Sequence, residues 1–507
     1  MAKKDGTSMR GAIEFLREEG DLLVIEKEVD PILEISGILK ALDGGPPVLF
    51  EKIKGYPGVR NVGNVIAREE TPAKIFDVAD PRKFKFKCHE AIKKPIPPRS
   101  VTQAPCQEVV ITENIDVMNT LPIIKHSEKD IGRILGSANI LLGGKYFDHG
   151  SEVVFKRMHF RGKDWSSVFI PPGTLLGRAV SKFKGEKLPV TLNIGAPPSV
   201  LLMAGGGMVH TILPWGTDKL AIAGGIQGSP VDIVKCKTID AYAVANSEWV
   251  IEGYIDTTEK VWESDEAEKA GKHGIVPFFP EWPGYLGRSY HVNKFQATAI
   301  THRKNPIFYT PLAQSFEGAV LGTIVKEAAL YEFCERLAPG LVTDIHILPG
   351  VAAWAHVFLQ VKKRSRTDEG MQRAILTAIL GSYGPSVKLV VVVDDDVDIY
   401  SADDVIWAIT TRAHAERAII YGGGGLMMGM TPAEKVGSSG EPVETGFLLK
   451  GGIGIDATVP IMAQWRFERP HYPSDKIDLT KWLSEADIAR ARTIQTDYAK
   501  LLAKTGH

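Results

Sequence analysis

Four stretches carry residues whose type and setting could do chemistry. In Glu152-Val-Val-Phe-Lys-Arg157-Met-His-Phe160, a period of two puts Val153, Phe155, Arg157 and His159 on one face of a strand. An arginine among apolar neighbours is costly unless an anion meets it, so Arg157 either closes a structural salt bridge or grips a bound anion. In Val276-Pro-Phe-Phe-Pro-Glu281-Trp-Pro-Gly-Tyr285, a glutamate lies among aromatic rings and prolines. Low polarity there would raise its pKa and let it hold a proton near neutrality, as a general acid must; a surface loop is the competing reading. Ser229-Pro-Val-Asp232-Ile-Val-Lys-Cys236 offers Asp232 as a ligand to a metal or phosphate region, or as an ordinary solvent-facing strand residue. In Phe447-Leu-Leu-Lys450-Gly-Gly-Ile-Gly-Ile-Asp456, the ammonium and nearby backbone N–H groups suit a phosphate, unless Lys450 simply precedes a turn.

Other signatures are missing. The glycine runs at 204–207 and 422–425 lack the spacing that cradles phosphates, and no GxSxG elbow or HExxH helix occurs. The 13 histidines form no close pair at metal-ligand spacing. Cys88, Cys106, Cys236 and Cys334 form no CxxC pair, which argues against a zinc ribbon, an iron–sulfur cluster or a disulfide framework.

These residues need elements to hold them. Residues 8–20 pattern as an amphipathic helix, 22–29 as a strand and Leu33–Leu42 as a second helix, giving a small α/β domain that ends at the Pro-rich linker Lys94-Pro-Ile-Pro-Pro98. From 108 to 322 strands and turns dominate. The expected strands are Glu108–Thr112, Ala138–Leu142, Glu152–Phe160, Pro189–Ile194, Lys219–Ala223, Asp232–Thr238 and Phe295–His302, with one helix near Leu175–Lys184, as suits a β-barrel-like domain. From 323 helix and strand alternate again: Leu389–Val393 reads as a buried strand and Asp403–Arg412 as a helix. A tail helix over 479–503 starts at a capping box, Ser484-Glu-Ala-Asp487, and its apolar stripe (Ala491, Ile494, Tyr498, Leu501) asks for a partner surface, in its own body or a second protomer. The expected architecture is therefore mixed α+β and α/β, in domains 1–107, 108–322 and 323–478 with a terminal helix at 479–507.

Composition sets the bounds. A chain of 507 residues with 44% hydrophobic and 24% charged residues reads as an ordinary globular protein of about three domains. A net charge of −1 gives no basic excess for nucleic acid. The cluster Arg82-Lys-Phe-Lys-Phe-Lys87 reads as a solvated strand face. No apolar run approaches the roughly 18 residues that span a bilayer, and the N-terminus has no apolar signal core, so a cytoplasmic protein is expected.

Taken in order, these stretches resemble the UbiD family of prenylated-flavin-dependent decarboxylases. Further similarity lies in Leu33-Glu-Ile-Ser36, Lys54-Gly-Tyr-Pro-Gly58, Asn119-Thr-Leu-Pro-Ile123, Lys235-Cys-Lys-Thr238, Thr298-Ala-Ile-Thr-His-Arg303, Val391-Val-Val-Asp-Asp-Asp396 and Trp407-Ala-Ile-Thr-Thr-Arg412, covering nearly the whole chain. The resemblance implies an N-terminal α/β domain, a central split β-barrel that binds flavin and a C-terminal α/β oligomerisation domain. It also implies reversible decarboxylation of an aromatic or α,β-unsaturated acid, where an sp2 carbanion has no adjacent sink and the cofactor, prenylated FMN, must take up electrons. Within the family's Glu–Arg–Glu network, Arg157 matches the arginine that grips the substrate carboxylate, and Glu281 the glutamate that protonates carbon. Lys450, Asp232, Ala221, Ile222 and Gly173, with Arg157, fall where the flavin would be held.

The departures are specific. The network's first glutamate should stand shortly before Glu281, at Val276, which leaves His273 as the candidate for that place. The family's metal-binding Asn and Glu align with Glu152 and Asp232, and its His falls at Gly173, which cannot ligate. Two carboxylates without an imidazole still suit a hard cation such as Mn2+, Mg2+ or K+ beside the flavin phosphate. The implied partners are an aromatic or unsaturated acid, including a phenolic or CoA-thioester form, a flavin prenyltransferase that supplies the cofactor, and further copies of the chain in a dimer or hexamer, with no nucleic acid and no membrane. Two alternatives stand beside this reading: a non-catalytic or partner-dependent subunit of a carboxylase assembly, and an FMN-binding oxidoreductase, against which the lack of a dinucleotide fingerprint counts.

Overall fold

In a computed structural model of the protein, the described residues are 5–146, 150–207, 209–214, 216–350, 355–382, 387–422, 426–427, 448–449 and 451–507. They form two compact units, one chiefly from residues up to 333 and the other chiefly from 334–348, 356–422 and 451–507.

The first unit opens with the helix Met9–Glu18, capped by Ser8, whose side chain accepts from Gly11 N. Its apolar face buries Met9, Ala12, Ile13, Phe15 and Leu16, and Arg10 reaches the fully buried Glu248 through Nε (3.1 Å) and Nη2 (2.6 Å). A four-stranded sheet follows, in the order Leu23–Ile25, Val48–Phe50, Arg60–Gly63, Ile307–Tyr309. Ile35 and Leu39 of the helix Glu34–Ala41 pack on it with Val48, Phe50, Ile53 and Leu312.

The centre of this unit is a closed barrel of six strands: β1 (Leu135–Gly143), β2 (Ser151–Phe160), β3 (Trp165–Val168), β4 (Lys187–Ile194), β5 (Trp249–Trp262) and β6 (His291–His302). The order β5-β4-β1-β2-β3-β6 is closed by antiparallel pairing of β6 with β5, from Trp249↔His302 to Trp262↔His291. Closure leaves no free edge, so each strand's backbone groups are met on both sides. β5 was not expected from the sequence. Its register shifts at Glu252/Gly253 and Ile255/Lys260 break the simple alternation, and it is nonetheless the longest strand of the barrel.

Three expectations need correction. Lys219–Ala223 is not a strand but the start of the helix Lys219–Gln227, because Asp218 caps it by accepting from Leu220 N (2.9 Å) and Ala221 N (3.3 Å). The basic cluster at 82–87 lies on a 3-10 turn and the helix Phe84–Lys93, and Lys85 is buried in an ion pair with Glu327 at 3.0 Å rather than solvated. The tail is two helices, Glu485–Ile494 and Asp497–Thr505, because Thr496 leaves helical geometry and caps the second.

The second unit holds a five-stranded sheet in the order Val342–His346, His356–Val361, Leu389–Asp394, Gly452–Ala457, Ile419–Gly422, with a parallel centre. Its core joins Phe358, Val391, Val393, Val397, Ile399, Val405, Ala408 and Ala457. Among the described residues, no helix is long and apolar enough to cross a membrane.

Glu317 ties the barrel's flanking elements together. Fully buried, it accepts from Asn64 N (2.8 Å), Ile66 N (3.0 Å) and the Tyr309 hydroxyl (2.9 Å). Burial pushes its pKa up to about 7, against the pull of those donors. The unfolded chain therefore releases this proton near the ordinary glutamate value while the folded chain keeps it, so the group's stabilising term is full at acid pH and is lost as pH rises towards and through about 7. The loss is on the order of 3 kcal/mol. Thermal melts of wild type and Glu317→Gln between pH 5 and 8 should show a fall in the wild type's melting temperature that is blunted in the variant; parallel profiles would contradict this.

Candidate active site

Arg157 lies on β2, and the elements around it bring two carboxylates to its guanidinium. Nη1 donates to Glu281 Oε1 in a short ion pair, while Nη2 donates to Glu263 Oε2 (3.1 Å) and to the Arg288 carbonyl (2.9 Å). The guanidinium also sits over the rings of Phe278 (4.5 Å) and Phe169 (4.9 Å). Arg157 and Glu263 are almost wholly buried, with side chains 9% and 1% exposed, whereas Glu281 is 22% exposed.

Each partner has a local reason for its place. Glu263 directly follows β5, where its backbone N–H donates to Tyr290 O (3.0 Å) and its carboxylate receives Tyr290 N–H (2.9 Å). Its own carbonyl accepts from His159 Nδ1 (2.8 Å), a contact that favours the tautomer with hydrogen on Nδ1, while burial lowers the ring's pKa. Glu281 stands at the tip of the hairpin Pro277–Pro280/Leu286–Arg288, held by Glu281 N→Tyr285 O (2.9 Å) and Gly284 N→Glu281 O (3.0 Å). Gly284 has φ +89°, a conformation that glycine adopts without strain. Gly287 is needed for another reason: a Cβ there would lie 2.7 Å from Glu281 Cγ and 2.9 Å from Arg157 Nη1.

The electrostatics are unequal across the network. Burial pushes the Glu263 carboxyl up to about 7, although Arg157 pulls it down. Burial also disfavours the Arg157 charge, but Glu263 and Glu281 more than offset this and hold its pKa above the usual arginine value. One carboxylate is thus nearly dry, and the second is more exposed to solvent. Glu263 Oε1 and Arg157 Nε are buried without a hydrogen-bond partner among the described residues, so the cluster keeps unused polar capacity.

The sequence therefore placed Arg157 and Glu281 in one site but missed the third member. His273 does not fill it: it is exposed, packs against Trp262 (5.0 Å between ring centroids) and receives the His291 N–H (3.3 Å). The carboxylate on Arg157 comes from Glu263, which lies far from Glu281 in sequence and is delivered by the unforeseen β5. Gly287 was also missed, since only the folded hairpin shows its close approach.

The expected cation ligands do not converge. Glu152, on β2, accepts from the buried Lys219 ammonium at 2.8 Å. Asp232 forms a two-pronged ion pair with Arg99 (2.8 and 3.0 Å) in a three-stranded sheet of Arg99–Val101, Asp232–Lys235 and Tyr242–Val244. Neither belongs to any group of three metal-competent side chains among the described residues. Each carboxylate already has a protein cation as counter-ion, so the pair does not fit a metal site. Ala221 and Ile222 lie in the first turn of the helix Lys219–Gln227, and Gly173 in an exposed turn before the helix Leu175–Lys182. Lys450 falls outside the described residues.

Family profiles described as the N-terminal, Rift-related and C-terminal domains of 3-octaprenyl-4-hydroxybenzoate carboxy-lyase match residues 13–86, 99–315 and 319–457. The chain belongs to the UbiD family of carboxy-lyases. Gallate decarboxylase of Lactiplantibacillus plantarum is 29% identical over 468 residues, 88% of this chain and 92% of its own. The UbiD-class enzyme HmfF from Pelotomaculum thermopropionicum, solved with FMN, is 31% identical and superposes with a TM-score of 0.79, covering 94% of this chain and 100% of its own. An evolved dimeric form of HmfF, solved with prFMN, is 30% identical with a TM-score of 0.78 over the same shares.

The glycine gives a sharp test of the geometry. Gly287→Ala should leave the melting temperature within a few degrees of wild type yet push Glu281 off Arg157 and lower turnover at least about tenfold. Unchanged turnover would show that the close packing at Gly287 is not needed.

Proposed function

We infer that the chain is a prenylated-FMN-dependent reversible decarboxylase of an aromatic or α,β-unsaturated carboxylic acid. The observation that carries this is the buried Arg157 shared between one fixed and one movable carboxylate, Glu263 and Glu281. When bound, the prenylated flavin would supply the electron sink that cleavage of a C–CO2 bond at an sp2 carbon requires. The unused Arg157 Nε and the aromatic walls Phe169 and Phe278 suit a planar group beside the guanidinium.

The protein's part follows from charge. With Nη1 and Nη2 both held by carboxylates and Nε buried, a substrate carboxylate gains a two-pronged contact with Arg157 only by displacing one of them. Glu281 is the one that can leave: it is wetter and sits on a hairpin tip, whereas Glu263 is pinned by Tyr290 N–H. Once off Arg157, Glu281 is placed to pass a proton taken from solvent to carbon after CO2 departs, and to remove it in the reverse direction. Glu263 keeps the guanidinium oriented throughout.

A phenolic acid is the favoured substrate class, given the likeness to gallate decarboxylase and, at 26% identity and a TM-score of 0.80, to the 3,4-dihydroxybenzoic acid decarboxylase AroY of Klebsiella pneumoniae. A homo-oligomer is in keeping with the dimeric HmfF form, and a flavin prenyltransferase would provide the cofactor.

Arg157→Ala and Glu281→Gln, assayed for CO2 release in the cofactor-loaded protein, should each lose at least about a hundredfold in turnover; wild-type rates in both would refute the roles. Because Glu263 ionises near pH 7 and its negative charge then opposes the approach of a substrate carboxylate to Arg157, KM should rise as pH climbs through about 7. That rise should vanish in Glu263→Gln, and a KM equally pH-dependent in the variant would count against this repulsion.

A further inference from the structure

Glu263 uses one of its two oxygens and leaves the other bare. Oε2 accepts from Arg157 Nη2 (3.1 Å) and from Tyr290 N–H (2.9 Å). Oε1 is buried with no hydrogen-bond partner among the described residues, and the side chain is 1% exposed, so bulk water does not reach it. A dry carboxylate oxygen without a donor is costly to keep, and it asks for a partner that arrives from outside the chain.

The setting defines that partner. Oε1 belongs to the same carboxylate that Arg157 holds, so it lies within a few ångströms of the guanidinium that a substrate carboxylate must reach. The partner is therefore a group that the substrate carries near its own carboxylate. Rings of Phe169 and Phe278 lie 4.9 and 4.5 Å from the guanidinium carbon, which favours a flat aromatic carrier. Because Oε2 already receives two N–H donors, a proton on this carboxyl resides on Oε1. Burial pushes the carboxyl up to about 7, so Oε1 is an acceptor in part of the molecules and an O–H donor in the rest. A hydroxyl can meet both forms, since it donates and accepts. Its place on the ring follows as well. An ortho hydroxyl donates to its own carboxylate and a para hydroxyl points directly away from it, which leaves the meta position.

We propose that Glu263 Oε1 is a specificity-determining contact that receives a ring hydroxyl meta to the substrate carboxylate, so that this chain selects meta-hydroxylated aromatic acids. The proposal rests on the decarboxylase reading above and deepens it: Glu263 both orients Arg157 and reads the ring that Arg157 holds.

The test uses three acids that differ only at the meta position: 3,4-dihydroxybenzoic, 3-amino-4-hydroxybenzoic and 4-hydroxybenzoic acid. Dissociation constants by calorimetry and kcat/KM for CO2 release are measured on the cofactor-loaded chain at pH 8, where Glu263 is chiefly ionised. The wild type should favour the hydroxyl and the amino group, both donors, over hydrogen by at least about tenfold. In Glu263→Gln the amide oxygen must stand in the Oε2 place to accept from Arg157 and Tyr290, which turns the NH2 to the Oε1 place. The amino acid then meets donor with donor and should lose its advantage over 4-hydroxybenzoic acid, while the hydroxyl turns to accept and keeps part of its own. Loss of Arg157 orientation alone would weaken all three acids together and would not produce this swap. A wild type that takes the three alike would overturn the proposal and assign Oε1 to a buried water. An amino advantage that survives in Glu263→Gln would overturn it too, by placing the meta group elsewhere. A loaded chain that neither binds nor decarboxylates any of the three would overturn the phenolic-acid reading itself.

Discussion

The site depends on one constraint: a guanidinium cannot be buried in a barrel wall unless carboxylates come to it. Arg157 meets this with two, and their origins explain much of the surrounding structure. β5 must run long, with two irregularities, to deliver Glu263 at its end, and the Pro277–Arg288 hairpin must turn tightly at Gly284 and stay bare at Gly287 to deliver Glu281. Closure of the six-stranded barrel fixes these points relative to β2, so the charge cluster and the barrel hold each other in place.

The same cluster sets two glutamates in different surroundings. Glu263 is dry and receives a backbone N–H as well as Arg157, which fixes its geometry while burial raises its proton affinity. Glu281 also pairs with Arg157 but is more exposed to solvent. Along the same strand, Glu152 and Lys219 form a separate buried pair. β2 therefore carries one charged centre near its start and another beyond its middle, on opposite faces of the strand.

Much of this was legible in the sequence. Arg157 and Glu281 stood out because each is a charged residue in an apolar local pattern, and such residues need a partner or a function. The mixed architecture followed from the change in periodicity near 108 and again near 323. Glu263 was hidden because Glu252, Gly253 and the residues after Ile255 obscure the alternation of β5, and because nothing local marks Glu263 as buried. Lys219 was hidden because Leu220–Ala223 reads as an apolar strand unless Asp218 is recognised as a helix cap. Lys85, beside other basic residues, gave no sign that Glu327 would meet it from a helix far along the chain. In each case the missing information was a long-range contact, which periodicity does not report.

The central claim is that this barrel presents Arg157, Glu263 and Glu281 to a prenylated flavin for carboxyl-group chemistry. The most direct test is to co-express the chain with a flavin prenyltransferase, purify it without oxygen, and measure the mass of the bound cofactor alongside incorporation of labelled CO2 into phenolic acids. The purified chain should carry a cofactor with the mass of prenylated FMN and place label in the carboxyl group of at least one such acid. A chain carrying only unmodified FMN, with redox turnover and no exchange of labelled CO2, would contradict it.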